Sequence, residues 1–512
     1  MEELQKSNLV GQRELRIEKV KKLKELGIEA YPAKSYREYS IGHIVENFDN
    51  FENKTTCLAG RLMAWRTHGK LIFGDIKDQT GKIQLMIKQD SLEGDLKKGH
   101  LDWDNLELLD LADFVEVQGD IIKSKRGEIT VMTKNIRLLT KSLRPIPKKL
   151  KNKEQKFRRR YLDLVINPER VKLFERKAKF WEVQREFLKK EGFMEVEVPV
   201  LESVTGGADA KPFITHHNAL NQDLFLRIST ELYQKRLIGG GYDKIFTLGP
   251  NFRNEGMDDE HLQEYYQLEW YWAYANYMDN MELVKRLFLQ IAKEVYGKTE
   301  FTTRGHTFDL ANEWKTLDYS EVIKDAFGVD IFNDSDEKIL KVIKENKIEL
   351  DGDINRNRLI DNLWKIIRAE ISGPAFLINH PKFVSPLSKE SSENKQLTER
   401  FQVIIAGSEL GNGYSEINDP QDQLERFLEQ QKLRDSGDDE AQMLDIDFVE
   451  MLEYGMPPTS GYGQSERIFW FMEDISGREG TFFPQMRVEI EQTTKKIYGE
   501  KLGKYIGIKP KK

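Results

Sequence analysis

One cysteine in 512 residues, Cys57, excludes an internal disulfide and any metal cluster built on several thiolates. No apolar run approaches the ~18–20 residues of a membrane-spanning helix. The first residues, MEELQKSNLVGQRELR, lack the apolar core of a secretory signal. Internal repeats and low-complexity tracts are missing too. These absences lead to the expectation of a cytoplasmic protein without membrane contact. Positive charge is not in excess either: the net charge is −7, so nucleic-acid binding must be sought in local patches. What remains is an ordinary globular composition, 32% charged and 39% apolar, on a chain too long for one core. More than one domain is expected.

Residues 12–26 place Leu15, Ile17, Val20, Leu23 and Leu26 mostly at helical spacing among basic residues, and Gly27 stands where a helix would end. This predicts a basic helical arm, either a solvated surface helix or an arm laid against phosphates. Between 55 and 139 the pattern changes to short strands at 55–66, 70–75, 82–88, 114–120 and 128–138, with turns at Gln79-Thr80-Gly81 and Arg126-Gly127. Short strands with a long polar connection between the third and fourth suggest a Greek-key barrel of the OB type, a common platform for single-stranded nucleic acid. Residues 141–160 hold Pro145, Pro147, ten basic residues and one acid, Glu154, and read as a linker able to meet phosphates. Beyond 167 the pattern is mixed: a helix over 171–191 closed by Gly192, a strand over 193–201 ending at Pro199, a Gly206-Gly207 loop, then alternating strands and helices.

The densest chemistry lies in 252–271, FRNEGMDDEHLQEYYQLEWY. Tyr265, Gln267, Glu269 and Tyr271 alternate, so a strand aims them to one side. With Arg253 and Glu255 ending the apolar run before the loop, the segment predicts an antiparallel strand pair facing one site. An arginine there can hold phosphate or carboxylate, an aromatic can stack a base, and acids can fix a cation. Such a cleft suits a nucleotide together with a charged small molecule.

Longer strings narrow this. The segments from Gly192-Phe193 to Pro199, 252–271, and GYGQSER at 461–467 resemble the three class II synthetase signatures, in order. Pro212 to Leu220 (PFITHHNAL), Glu231-Leu232-Tyr233, Gly411 to Glu416 (GNGYSE) and Glu453 to Pro458 (EYGMPP) are similar to the lysine branch of that class. From about Arg16 to Arg487 the chain resembles a class II lysyl-tRNA synthetase.

The resemblance implies an α+β fold: an N-terminal OB-fold β-barrel, then a class II domain with an antiparallel β-sheet flanked by helices. It divides the chain into a basic helical arm (1–50), an anticodon-binding barrel (51–145), a basic linker (146–165), a catalytic domain (166–490) and a C-terminal extension (491–512). It further implies that Arg253 bridges the ATP α-phosphate and the amino-acid carboxylate, that Glu255 and His261 orient ATP, and that Tyr265 stacks on adenine. Arg467 would grip the γ-phosphate and stack on the base from the other side. Glu231 with the Gly207 carbonyl would take the lysine α-ammonium, Glu416 with Tyr271 and Glu269 the ε-ammonium, and Asn412 the carboxylate side. Mg²⁺ is implied, with Glu409 and Gln402 at the ligand positions. In the barrel, Phe73 would stack on the central anticodon uridine, Gln84 and Glu128 would bond its edge, and Arg66 would add a phosphate or base contact. The implied partners are ATP, L-lysine, tRNA(Lys) and a second copy of the chain, with Pro199 near the dimer interface.

The chain departs from the family in three places. Gln402 stands where a glutamate is expected. GYGQSER is one residue short and lacks a glycine, which points to a shifted strand or a reshaped adenine pocket. The loop before His261 reads Asp258-Asp259-Glu260, where a basic residue is usual, and Leu262-Gln263 replaces Asn-Pro. Acids there would repel ATP phosphates and the tRNA end alike. The expected activity is ligation of lysine to tRNA through lysyl-adenylate. The alternatives are a related enzyme for aspartate or asparagine, and a synthetase-like RNA-binding or regulatory protein with impaired catalysis.

Overall fold

The computed structural model describes residues 8–350, 355–437 and 440–499. It divides into two compact units, Met1–Lys156 with Gln485–Lys512, and Phe157–Pro484. In the first, β1 (Thr55–His68), β2 (Leu71–Lys77), β3 (Lys82–Lys88), β4 (Phe114–Lys123) and β5 (Ile129–Thr140) close a barrel in the order β1-β2-β3-β5-β4. Period-two burial explains the closure: Ile72, Ile76, Ile83, Leu85 and Ile87 face inward and are buried, while Phe73 and Gln84 alternate to the outer face. The parallel pairing of β3 with β5 is the crossover that the long polar connection makes possible.

The N-terminal helix runs Leu9–Glu25, capped by the Asn8 side chain, which accepts from the Gly11 N–H at 2.9 Å. Gly27 follows at φ 75°, the left-handed position a helix end favours. Its inner face belongs to the barrel unit. Leu23 is fully buried, Arg16 donates to the Ser142 and Leu111 carbonyls at 2.7 and 3.1 Å, and Lys19 meets Asp110 at 3.0 Å. Two of the arm's cations are therefore structural. The basic stretch at 141–160 likewise begins and ends inside the fold. Lys141 is fully buried and pairs with Asp110 and Asp113 at 2.6 and 2.7 Å. Arg160, in the second unit, is buried against Asp163 at 3.0 Å, and 153–158 is a helix. From the C-terminal extension, the helix Gln492–Tyr498 brings the Tyr498 ring to the Arg13 and Arg144 guanidinium groups at 5.7 and 5.8 Å. The terminal lysines 509 and 511–512 lie outside the described residues.

In the second unit the strand expected over 193–201 is two short ones, β6 (Met194–Glu195) and β7 (Leu201–Glu202), because Pro199 has no N–H to continue a ladder. β7 joins β8 (Ile214–His217) and β9 (Gln222–Leu226) in the order β7-β9-β8. The central sheet is built from β10 (Lys244–Phe252), β11 (Glu264–Ala273), β14 (Lys315–Asp318), β15 (Ala375–Ile378), β16 (Arg400–Ile405), β17 (Ser408–Ser415) and β18 (Thr459–Ser465) together with β6, while β12 (Glu300–Thr303) and β13 (His306–Asp309) form a separate hairpin. The sheet order is β14-β15-β16-β17-β18-β11-β10-β6, antiparallel except at its two ends. Helices Pro168–Lys190 and Tyr277–Ile291 bury Phe180, Phe187, Leu287 and Phe288 against Phe246 and Trp270 of the sheet. With one face covered, the other is free to carry a site. Among the described residues no helix is long and apolar enough to cross a membrane.

Candidate active site

β10 and β11 pair without interruption, Lys244 opposite Trp272 through Phe252 opposite Glu264, so the expected strand pair is present. The alternation along β11 aims Tyr265, Gln267, Glu269 and Tyr271 into one cavity of about 390 Å³. All thirteen residues expected to bind ATP, lysine or metal line this cavity. They fall into a closed end of buried carboxylates and an open end of guanidinium groups.

At the closed end Glu231, Glu269 and Glu416 are each at most 4% exposed. Glu269 accepts from Thr230 Oγ1 at 2.7 Å, Tyr271 OH at 2.7 Å and Gln267 Nε2 at 3.0 Å. Burial, then the charge of Glu231, raises its carboxyl above the usual range. Glu231 accepts from Tyr414 OH at 2.7 Å and from Lys235 Nζ at 2.5 Å, and Lys235 also ion-pairs with Glu416. Burial pushes the Glu416 carboxyl well above its ordinary value, with Lys235 acting against it. Two glycines are obligatory here. Gly207, at φ 84°, would drive a Cβ to 2.8 Å from Ser229 Oγ, and a Cβ on Gly461 would lie 2.5 Å from the Tyr271 ring. Asn412 accepts from Arg400 Nε at 2.8 Å, which leaves its amide NH₂ for a ligand.

At the open end the Arg253 backbone N–H is fixed to the Gln263 carbonyl at 2.9 Å, and its guanidinium lies 5.5 Å from the Tyr265 ring. Its Nε is buried without a partner, as is that of Arg467. Burial lowers the Arg467 guanidinium to about 10. Arg467 Nη1 donates to the Glu409 carbonyl at 3.0 Å, and Nη2 pairs with Glu260. Glu255 accepts the Lys211 N–H at 3.3 Å, and His261 Nδ1 faces the Asp258 carboxylate at 2.8 Å.

The Glu409–Gln402 pair does not make a metal cradle. Against the pull of burial, the charge of Arg368 and the bond from Trp364 hold the Glu409 carboxyl below the usual range. An ionised carboxylate only accepts, so Gln402 turns its NH₂ to Glu409 at 2.8 Å and its oxygen to His380 Nε2 at 3.0 Å. His380, which burial lowers to about 3, is neutral and can donate there. Arg368 and Trp364 already occupy the other Glu409 oxygen at 2.7 and 2.8 Å. The expectation of Gln402 as a metal ligand thus meets an amide oxygen already engaged. Among the described residues no group of three His, Cys, Asp or Glu could hold a metal ion.

The shortened third signature leaves its strand in register. β18 pairs with β11 from Gln267 opposite Ser465 to Ala273 opposite Thr459 without a shift. Gln464, where a glycine was expected, is buried; it bonds to Gln184 and accepts from Tyr462 OH at 3.0 Å. In the barrel, Arg66 sits opposite Phe73 in the β1–β2 register, and Phe73 is half-buried on the outer face. Gln84 Nε2 donates to Glu128 at 2.7 Å. Phe73, Gln84 and Glu128 therefore stand outside the barrel core.

Sequence reasoning missed Lys235, Tyr414 and Arg304. Lys235 was the most accessible of the three, since it lies four residues after Glu231 on the helix Glu231–Gly239 and so shares its face. Tyr414 alternates with Asn412 and Glu416 and lines the same cavity, so the period-two pattern could have found it. Arg304 comes from the tip of the β12–β13 hairpin, and no local pattern signals it.

Comparison with known proteins agrees with this geometry. Residues 152–487 match the family described as tRNA synthetases class II (D, K and N), and residues 56–139 match the OB-fold nucleic acid binding domain. A protein of Thermotoga maritima named lysine–tRNA ligase is 44% identical over 90% of this chain and 93% of its own length. Proteins of the same name from Fervidobacterium nodosum and Thermoanaerobacter pseudethanolicus are 43% and 41% identical, covering 93% and 92% of this chain and 94% and 95% of their own. The chain belongs to the class II tRNA synthetases of the D, K and N group, with an N-terminal OB-fold domain.

Proposed function

We propose that the chain is a lysine–tRNA ligase, which activates L-lysine with ATP and passes the lysyl group to the 3′ end of tRNA(Lys). The observation that carries this reading is the charge at the closed end of the pocket. Glu231, Glu269 and Glu416 are buried there, and among the described residues one ammonium, that of Lys235, is paired with the set. A ligand with two ammonium groups fills the deficit, and L-lysine brings an α- and an ε-ammonium. Aspartate would add another carboxylate, and asparagine, with one ammonium, would leave the set one cation short.

In this reading the lysine carboxylate attacks the α-phosphorus of ATP, the bond to the bridging oxygen breaks, and pyrophosphate leaves. Arg253 neutralises charge on the phosphorus oxygens, with its unpartnered Nε among the donors available. The terminal ribose hydroxyl of the tRNA then attacks the lysyl carbonyl and AMP departs. No side chain acts as nucleophile. Mg²⁺ enters as part of the MgATP substrate, carried on phosphate oxygens. Phe73, Gln84, Glu128 and Arg66 form the anticodon contact, splayed bases being read by stacking and edge bonds. A homodimer completes the reading, with exposed Met194, Val200 and Leu201 around Pro199 as its apolar face, and the cytoplasm as its compartment.

Amino-acid-dependent ATP–pyrophosphate exchange across a panel of amino acids is the test. Lysine-only exchange is expected. Exchange with aspartate or asparagine would move the chain to another member of the group. Absence of exchange with any amino acid, from folded protein, would overturn the enzyme reading in favour of an RNA-binding or regulatory role.

A further inference from the structure

The acidic loop between β10 and β11 uses its three acids in different ways. The Asp258 carboxylate turns back on the loop and accepts the Glu260 and His261 N–H groups at 2.6 and 2.7 Å. Asp259 ties the loop down through its carbonyl, which accepts the Gly477 N–H at 2.8 Å. Glu260 alone reaches into the open end of the cavity. Its carboxylate is ion-paired with both Arg467 and Arg304, and Ser408 Oγ lies 3.4 Å away.

The two guanidinium groups are held in place independently of Glu260. Arg304 sits at the tip of the β12–β13 hairpin, where its N–H donates to Asp474 Oδ1 at 3.2 Å and its neighbour Thr303 reaches the same oxygen at 2.8 Å. Its guanidinium lies 3.8 Å from the centroid of the Phe471 ring, and that of Arg467 lies 6.0 Å from the same centroid. Burial, then the charge of Arg467, lowers the Arg304 guanidinium below its ordinary value. Two like charges fixed around one ring need an anion between them.

We propose that Glu260 is an internal occupant of the triphosphate seat and that Arg304 is a triphosphate-binding residue. The terminal phosphates of ATP displace the Glu260 carboxylate, and Arg304 and Arg467 then bind them together. The inference rests on the adenylation reading for the role of Arg467 and extends it to a residue outside all three signatures. A terminal phosphate brings more charge and more acceptor oxygens than one carboxylate, so the exchange is favourable. The tethered carboxylate also competes with pyrophosphate for the seat once the first step is complete. In the sequence, an acid stands where a cation is usual; in the fold, a cation from another strand pair faces it.

The test is calorimetric binding of inorganic triphosphate and of AMP to the full chain, without amino acid, alongside steady-state exchange kinetics. Arg304→Gln is expected to weaken triphosphate and raise KM for ATP about tenfold, leaving AMP affinity and KM for lysine unchanged. Glu260→Gln is expected to tighten triphosphate several-fold by removing its competitor. Arg304→Lys, which keeps the charge and the stem over Phe471, should fall between Arg304→Gln and the native chain and secures the result if Arg304→Gln folds poorly. Equal effects of Arg304→Gln on AMP and triphosphate would overturn the proposal, as would unchanged or weaker triphosphate binding in Glu260→Gln. Because these bindings need no amino acid, a lack of lysine-dependent exchange in the native chain would sink the functional reading and leave this one to be judged by its own measurements.

Discussion

At the closed end of the pocket each carboxylate has a partner before any ligand arrives, whereas at the open end two guanidinium groups share a carboxylate borrowed from a loop. Glu231, Glu269 and Glu416 lie on the helix Glu231–Gly239 and beside or on central strands, hemmed in by Gly207, Gly461 and the tyrosine hydroxyls. Arg304, Glu260 and Arg253 lie at a hairpin tip, in a loop and just past a strand end. The buried end can discriminate because an unmatched charge there has no water to relieve it. The open end can exchange one anion for another because it remains in reach of solvent. On the proposed reading, selectivity for the amino acid is preset, while capture of the phosphates requires rearrangement.

Breaking the buried end should have the largest effect. Glu416→Gln leaves the ε-ammonium of lysine without its carboxylate, a loss of about 3–5 kcal/mol, so kcat/KM for lysine in the exchange assay should fall roughly 10³-fold. KM for ATP should change little, which separates the two ends. Lys235→Met removes the buried partner of two carboxylates, and urea unfolding should show a stability loss of about 3 kcal/mol. An unchanged midpoint would mean that the carboxylates manage by sharing protons. Phe73→Ala lies outside both ends, and loss of one stacked base should raise KM for tRNA about tenfold and leave exchange untouched.

The smallest expected effect is in pH dependence. Burial raises the Glu269 and Glu416 carboxyls, with Glu231, Lys235, Tyr271 and Tyr414 facing them. An ammonium ligand requires those carboxyls ionised, so any proton they hold in the empty pocket must leave as lysine binds. Lowering pH from about 8 to about 6 should therefore weaken lysine binding a few-fold, read as kcat/KM for lysine against that for ATP. A flat lysine profile would show that the carboxyls are already ionised in the empty pocket.

Much of the fold was legible locally. The barrel strands fell within a few residues of their positions, because alternating burial writes itself into sequence at period two. The helix ends at Gly27 and Gly192 followed from left-handed glycine positions. The strand expected over 193–201 is two short ones, since the alternation of apolar and acidic residues runs up to Pro199 while the ladder does not. The basic stretch at 141–160 read as a linker, but composition could not reveal that Lys141 is buried against Asp110 and Asp113.

Sequence alone determined the family strings, the strand face carrying Tyr265, Gln267, Glu269 and Tyr271, and the presence of acids suited to a cationic substrate. Tertiary structure alone decided what those acids touch. Arg304 and Arg467 lie 44 and 207 residues from Glu260, and Gln402 takes its orientation from a histidine 22 residues away. Periodicity encodes which way a side chain faces along one element. Pairing across elements depends on sheet order, loop path and hydrogen-bond register, and these exist only once the chain has folded.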